Sequence, residues 1–125
     1  MIDDIHFFDK YIGTEFKEVD ENGYYLGCLL PVYLLYPKAY RFKPTDNFFN
    51  ETYILTNILK DGQKIDYASN FGDVIVIRFG PDYHFFVFIQ PKKYVHITPR
   101  NRLCYTSIET MKHKIIGTYR YKGNI

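Results

Sequence analysis

The most constraining feature of this chain is a run of five apolar residues, Phe85-Phe86-Val87-Phe88-Ile89, enclosed by two turn signals. Gly80-Pro81-Asp82 precedes the run and Gln90-Pro91-Lys92 follows it. Clusters of this kind mark the turns that join neighbouring strands. A strand that is apolar at every position buries both of its faces. The sequence therefore predicts a central strand over Tyr83–Gln90, covered on both sides of a sheet.

Further strands are predicted on both sides of this central strand. Asp73–Phe79 precedes the first turn, Lys93–Thr98 follows the second, and Lys114–Lys122 has the composition of a last strand. Neighbours joined by such short turns pair antiparallel. The second half of the chain is thus expected to form a meandering antiparallel sheet.

Helical patterns dominate the first half instead. Ile5, Phe8 and Ile12 recur at helical spacing and predict a short helix over 2–12, and a second apolar stripe predicts a helix over roughly 48–60. Helices first and an antiparallel sheet second make an α+β arrangement. With 125 residues and no internal linker, the chain 1–125 is expected to be a single domain.

A third helix is predicted between these two, in the apolar segment from Cys28 to Tyr36. Its start is constrained by Pro31, because proline is tolerated in the first turn of a helix and disruptive deeper in it. This helix should therefore begin near Cys28.

Charge is unevenly distributed and restricts the partners that the chain can have. Residues 1–73 hold 7 Lys/Arg against 12 Asp/Glu, a balance of −5, whereas residues 74–125 hold 9 against 2, a balance of +7. A basic half can face anionic material or form a solvated surface, but no run resembles a nucleic-acid motif. No apolar run is long enough for a membrane span, and the acidic Met1-Ile2-Asp3-Asp4 start shows no signal peptide.

The cysteines and two of the four histidines are the candidates for chemistry. Cys28 and Cys104 are far apart and form no CxxC pair, so a disulfide framework or a zinc site is not expected. His84 and His96 lie on consecutive predicted strands. A hairpin centred on Gln90 would place them directly opposite, and one centred on Pro91 would make them diagonal neighbours on the same face.

These residues together supply the parts of a Cys–His–His site. A thiol at a helix N-terminus is more easily ionised, and the free amides there can bind an oxyanion. One imidazole can act as a base while the other orients it. Each residue also has a purely structural interpretation, since cysteine is often a small buried residue and strand histidines are often satisfied structural groups.

Six segments follow one another in an order that is found in a known family. They are Gly13-Thr14-Glu15-Phe16, the helix start at Cys28, Gly72-Asp73-Val74-Ile75-Val76, His84-Phe85-Phe86-Val87-Phe88-Ile89, Tyr94-Val95-His96-Ile97-Thr98 and Ile115-Ile116-Gly117-Thr118-Tyr119-Arg120. In this order the chain resembles the NlpC-type cysteine peptidases of papain-like fold, particularly those carried in phage tails, over nearly its whole length.

The resemblance implies a function and a set of site residues. Cys28 would be the nucleophile, His84 the general base and His96 the residue that orients it, with Phe16 and Gly27 lining the oxyanion side. The family hydrolyses amide bonds in peptidoglycan stem peptides by acyl transfer, without a metal or cofactor. The implied partners are the peptidoglycan peptide and other tail proteins. The implied location is the virion tail, after synthesis in the host cytoplasm without a signal peptide.

The sequence departs from the family around the cysteine. Gly27 stands where the family has Asp, Leu29-Leu30 replace Ser-Gly, and Phe16 lacks a hydroxyl that many members place near the oxyanion. A competing register puts Leu26 at the nucleophile position, which would make the chain an inactive structural component of a tail. Cys104, in a segment that is predicted as strand or loop, is a poor rival for the nucleophile because permuted relatives carry theirs in a helix.

Overall fold

The computed structural model describes residues 5–43, 62–80, 82–108 and 114–121. In this part of the chain it contains one short α-helix and six β-strands, which confirms the α+β class. The elements are α1 (Leu30–Leu35), β1 (Gly62–Ile65), β2 (Val74–Phe79), β3 (Asp82–Gln90), β4 (Lys93–His96), β5 (Cys104–Thr106) and β6 (Ile115–Tyr121).

The six strands form one sheet in the order β1-β6-β2-β3-β4-β5. All of its neighbouring strands run antiparallel. From β2 to β4 the sheet is the predicted meander, which β5 extends by one strand, and β6 returns to lie between β1 and β2. The apolar run Phe85–Ile89 is buried at every position, so the prediction of a strand covered on both faces is confirmed.

The sheet has two apolar faces that differ in what covers them. One face, here called the helix-side face, packs against α1 and the turn that precedes it, and its strand residues are Val74, Val76, Phe85, Val87, Ile89 and Val95. The opposite face, here called the far face, carries a separate cluster made of Ile75, Ile77, Phe86, Phe88, Tyr94 and Ile108. Because successive strand residues point to opposite sides, the far face holds the even-numbered side chains of β3.

The helix begins where Pro31 predicted. A 3-10 turn spans Gly27–Leu29 and leads directly into α1, with the proline in the first turn of the helix. At this position the missing N–H of proline costs no helical hydrogen bond. Apolar side chains of α1 then pack onto the helix-side face.

The prediction of a helix over 2–12 is wrong in the part that the structure describes. Residues 5–12 form turns with a single 3-10 turn at Asp9–Tyr11. Of the predicted apolar stripe only Phe8 is buried, while Ile5 and Ile12 are about two-fifths exposed (39% and 38%). With only one of the three apolar residues buried, the segment has no apolar stripe that packing could stabilise as a helix, and Gly13 after it donates to the carbonyl of Leu103 at 2.9 Å.

Two strands were not predicted as such. β1 begins at Gly62, just after the helix predicted over roughly 48–60, and β5 covers part of the segment around Cys104 that is predicted as strand or loop. Both are short and carry little alternation of apolar and polar residues. The helix predicted over 48–60 lies outside the described residues.

A buried carboxylate joins the start of β2 to β6. Asp73 is 1% exposed, and its carboxylate accepts hydrogen bonds from the backbone amides of Ser69 and Asn70, both at 2.9 Å. The Arg120 guanidinium donates to it through Nε at 2.9 Å and Nη2 at 3.0 Å. These four bonds satisfy a charge that would otherwise be costly to bury.

Candidate functional site

The first candidate group, the thiol of Cys28, lies at the helix start as predicted. Gly27 precedes it with φ +45°, and a side chain at this position would collide with the phenol of Tyr25. The amide of Gly27 donates to the carbonyl of Lys17 at 2.9 Å. The 3-10 turn is thereby held against the preceding loop, and the Gly27 amide is occupied by a backbone bond. Phe16, the other residue predicted to line the site, is half-buried against the helix-side core.

The thiol itself contacts the backbone of the sheet. Cys28 Sγ donates to the carbonyl oxygen of Tyr83 at 3.4 Å and lies 3.8 Å from the hydroxyl of Tyr25. Burial, and then the nearby Cys28, raise the pKa of Tyr25 well above its usual range, so this phenol stays protonated. The hydrogen bond to the Tyr83 carbonyl is one that only the S–H form of the thiol can donate.

The two predicted imidazoles share one face of the sheet. Val87 pairs with Val95 in the β3–β4 register, which centres the hairpin on Pro91 and makes His84 and His96 diagonal neighbours. Of the two geometries that the sequence left open, the structure contains this one. The electrostatic effect of His84 on His96 agrees with their proximity, since it contributes to lowering the pKa of His96.

Both imidazoles pack against aromatic rings of the far face. The His96 ring stacks on Phe86 with centroids 4.8 Å apart and planes inclined by 20°. The His84 ring meets Phe79 edge-on at 5.0 Å. Burial is the larger cause of the lowered pKa of His96, with the neighbouring His84 second.

The structure does not bring the thiol to the side of the sheet that carries the imidazoles. Cys28 and Tyr83 both pack against the helix-side core, whereas His84, the next residue along β3, packs with Phe79 on the far face. The predicted meeting of the thiol with two imidazoles therefore differs from the observed arrangement. The physical reason is the two-residue period of a strand: the residue that projects towards the helix start is Tyr83.

A different cysteine lies on the histidine face. Cys104 pairs directly with His96 in the β4–β5 register, so their side chains project from the same side of neighbouring strands. Burial raises the pKa of the Cys104 thiol, which disfavours its nucleophilic form. The signal in the sequence is the strand character of residues 104–106, which places Cys104 beside the strand of His96.

In the described ranges, the side chains of His, Cys, Asp and Glu form no group of three or more that could hold a metal ion. The same residues include no helix with the length and apolar character required to cross a bilayer. The arrangement thus offers a half-buried thiol against a strand backbone and, on the other face, a pair of imidazoles beside a second thiol.

Comparison with known proteins adds no family to this description. No protein-family model matches the chain, and no curated protein matches its sequence significantly.

Proposed function

We propose that the chain is a non-catalytic domain of papain-like, NlpC-type fold that serves as a structural component of a phage tail. One observation supports the loss of activity above all others: the Cys28 thiol packs on the helix-side face, while His84 and His96 project from the far face. Thiol catalysis requires a base within hydrogen-bonding reach of the sulfur.

The order and pairing of the elements support the NlpC-type ancestry. A helix that starts at a cysteine packs on an antiparallel sheet, and the strands that carry Gly-Asp and the two histidines are neighbours in that sheet. Two motifs of the resemblance also meet in space, because Arg120 of the last strand binds Asp73 of the Gly-Asp pair.

The surroundings of Cys28 support a structural role for this residue. Its thiol donates to the carbonyl of Tyr83, and the amide of Gly27, which could have faced an oxyanion, donates to Lys17. Catalysis at this sulfur would require the thiol to leave the Tyr83 carbonyl before it attacked a substrate. The replacement of the family's Asp, Ser and Gly around this cysteine agrees with such a loss.

The proposed partners are other tail proteins, and the proposed location is the virion tail, with synthesis in the host cytoplasm. The support is the resemblance of Ile115–Arg120 to tail-associated members, together with 13 Tyr and 11 Phe in 125 residues. Tyrosine is enriched where proteins contact one another, because it combines a large apolar ring with a polar tip. In particles assembled from a genome that encodes the chain, antibodies should label the tail; labelling confined to the soluble lysate would contradict this role.

Hydrolysis of purified muropeptides tests the loss of activity. We expect the wild-type chain to release no more product than the Cys28→Ala variant. Alkylation by iodoacetamide supplies an assay that needs no substrate. In a Cys104→Ala background, where Cys28 is the single thiol, the folded protein should react near neutral pH no faster than the denatured chain.

Turnover that Cys28→Ala abolishes and Cys104→Ala leaves intact would overturn the proposal and establish the peptidase instead. That second candidate has one observation in its favour, because the thiol already borders β3 at Tyr83, the residue next to His84. A slip of one residue in β3 would turn His84 towards the helix. If the chain is a peptidase, His84→Ala must also abolish turnover. A structural role makes no such demand on His84.

A further inference from the structure

The far face of the sheet holds an imidazole whose surroundings suit only its neutral form. The His96 ring lies flat on Phe86, and its Nδ1 atom is buried with no hydrogen-bond partner in the described part of the chain. Protonation would add a charge and an N–H donor to this atom. Both are costly where neither water nor an acceptor can compensate them.

Among the side chains that the structure describes around His96, none offsets a positive charge. β2 contributes apolar side chains to this face, β4 contributes Tyr94, and β5 contributes Cys104 opposite the imidazole. His84 on β3 would repel the charge when it is itself protonated, and the ammonium of Lys114 lies 4.8 Å from the centroid of the Phe79 ring, against which His84 packs. Asp82 lies two residues before His84 on β3, and its backbone pairs with that of Phe79. The experiment below tests its carboxyl group separately.

His96 also lies close to one edge of the sheet that the described strands form. β4 has four residues and β5 three, and β5 is an end strand of the sheet. The pairing of β4 with β3 is irregular between Phe88 and Gln90. Short strands at a sheet edge open locally at a lower free energy than central ones.

We propose that His96, with His84 beside it, is an acid-sensitive switch that releases the β4–β5 edge from β3 while the β6-β2-β3 core stays paired. The sign follows from the protonation of the two states. In the opened edge an imidazole has the ordinary pKa of about 6.5, whereas burial and His84 lower the pKa of His96 in the closed sheet. Closure is therefore strongest above pH ~6.5 and is lost as the pH falls towards the lowered pKa.

Amide hydrogen exchange between pH 7.5 and 5 tests the switch. After correction for the intrinsic exchange rate, the opening constant of β4 and β5 amides should rise several-fold, up to the limit of about tenfold per pH unit that one proton allows. Amides of β2 and β6 should show little change. In the His96→Gln variant the β4 and β5 profile should become flat.

The matched control is His6→Gln, because His6 is exposed and its Nδ1 pairs with Asp9 at 3.0 Å; this variant should keep the wild-type profile. Asp82→Asn should keep it as well, since the proposal assigns the proton to His96. An equally steep profile in His96→Gln, or a flat one in the wild type, would overturn the proposal. Should His96→Gln fail to fold, an NMR titration of the wild-type protein decides: a His96 pKa at or above about 6.5, the value of an unperturbed imidazole, would refute the switch.

Discussion

The guanidinium of Arg120 binds the carboxylate of Asp73 across the sheet, with Nε and Nη2 at 2.9 and 3.0 Å from its two oxygens. These residues lie 47 positions apart in the chain. In the sequence they belong to two separate motifs, Gly72-Asp73 and Gly117-Thr118-Tyr119-Arg120, whose functional meaning was open. The pairing gives both motifs a shared structural meaning, because Arg120 neutralises the charge that the Gly-Asp turn buries.

Replacing Arg120 by methionine should lower the free energy of unfolding by about 2–4 kcal/mol, since the buried Asp73 carboxylate then loses its charged partner. Denaturant unfolding measures the change. The control is Arg102→Met, because Arg102 pairs with Glu15 at 3.0 Å with both side chains more than 60% exposed. Its cost should stay below about 1 kcal/mol. Equal effects of the two variants would show that the Asp73 pair has no special role.

Gly72→Ala should lower the free energy of unfolding by more than the cost of placing alanine in a left-handed backbone conformation. Gly72 has φ +92°, and a Cβ there would lie 2.6 Å from the hydroxyl of Tyr36. Gly13 is the matched control, with φ +95° and no atom within 4 Å of the same position. We expect Gly13→Ala to cost about 1 kcal/mol and Gly72→Ala clearly more.

A second substitution separates the cost of the collision with the Tyr36 hydroxyl from the cost of the backbone conformation. Tyr36→Phe removes the hydroxyl, together with its hydrogen bond to the Gly72 carbonyl at 2.6 Å. In a double-mutant cycle measured by thermal unfolding, Gly72→Ala should cost less in the Tyr36→Phe background than in the wild type. Identical costs in the two backgrounds would refute the collision.

The hydroxyl of Tyr105 donates to the Asp9 carboxylate and is the first cause that lowers the pKa of Asp9 below its usual 3.8; His6 and Lys93 add smaller effects. A lowered pKa means that this contact stabilises the fold above pH ~3.8 and is lost as the pH falls through the folded value. Tyr105→Phe should raise the pKa of Asp9 in an NMR titration. Tyr67→Phe, at a tyrosine that is 74% exposed, should leave it unchanged.

Strand positions were predictable from local chemistry, because turn residues bracket the apolar runs. The hairpin from β2 to β3 follows from Gly80-Pro81-Asp82, and the helix start follows from Pro31. β1 and β5 were not predicted as strands because their stability comes from pairing with β6 and β4, which no local pattern encodes. The N-terminal apolar spacing was misleading, since Phe8 is buried but Ile5 and Ile12 are not, so tertiary packing does not stabilise a helix there.

The candidate site shows a different limit of sequence reasoning. Alternation along a strand placed His84 and His96 on a common face, and the structure agrees. The alternation of side chains could not reveal which face α1 covers, because the run Phe85–Ile89 is apolar on both faces. The position of Cys28 relative to the imidazoles depends on that choice, which is made by tertiary packing.

The insertion of β6 between β1 and β2 affects how the chain can fold during its synthesis on the ribosome. Among the described strands β1 pairs with β6 alone, and this pair cannot form until residues 115–121 have left the exit tunnel. The meander from β2 to β5 can assemble earlier from contacts close in sequence, but closing the sheet requires pairing over a long chain separation. Co-translational folding of this domain should therefore finish in one late step, and a nascent chain stalled before Ile115 should leave the outer edge of β2 open to pairing with other chains.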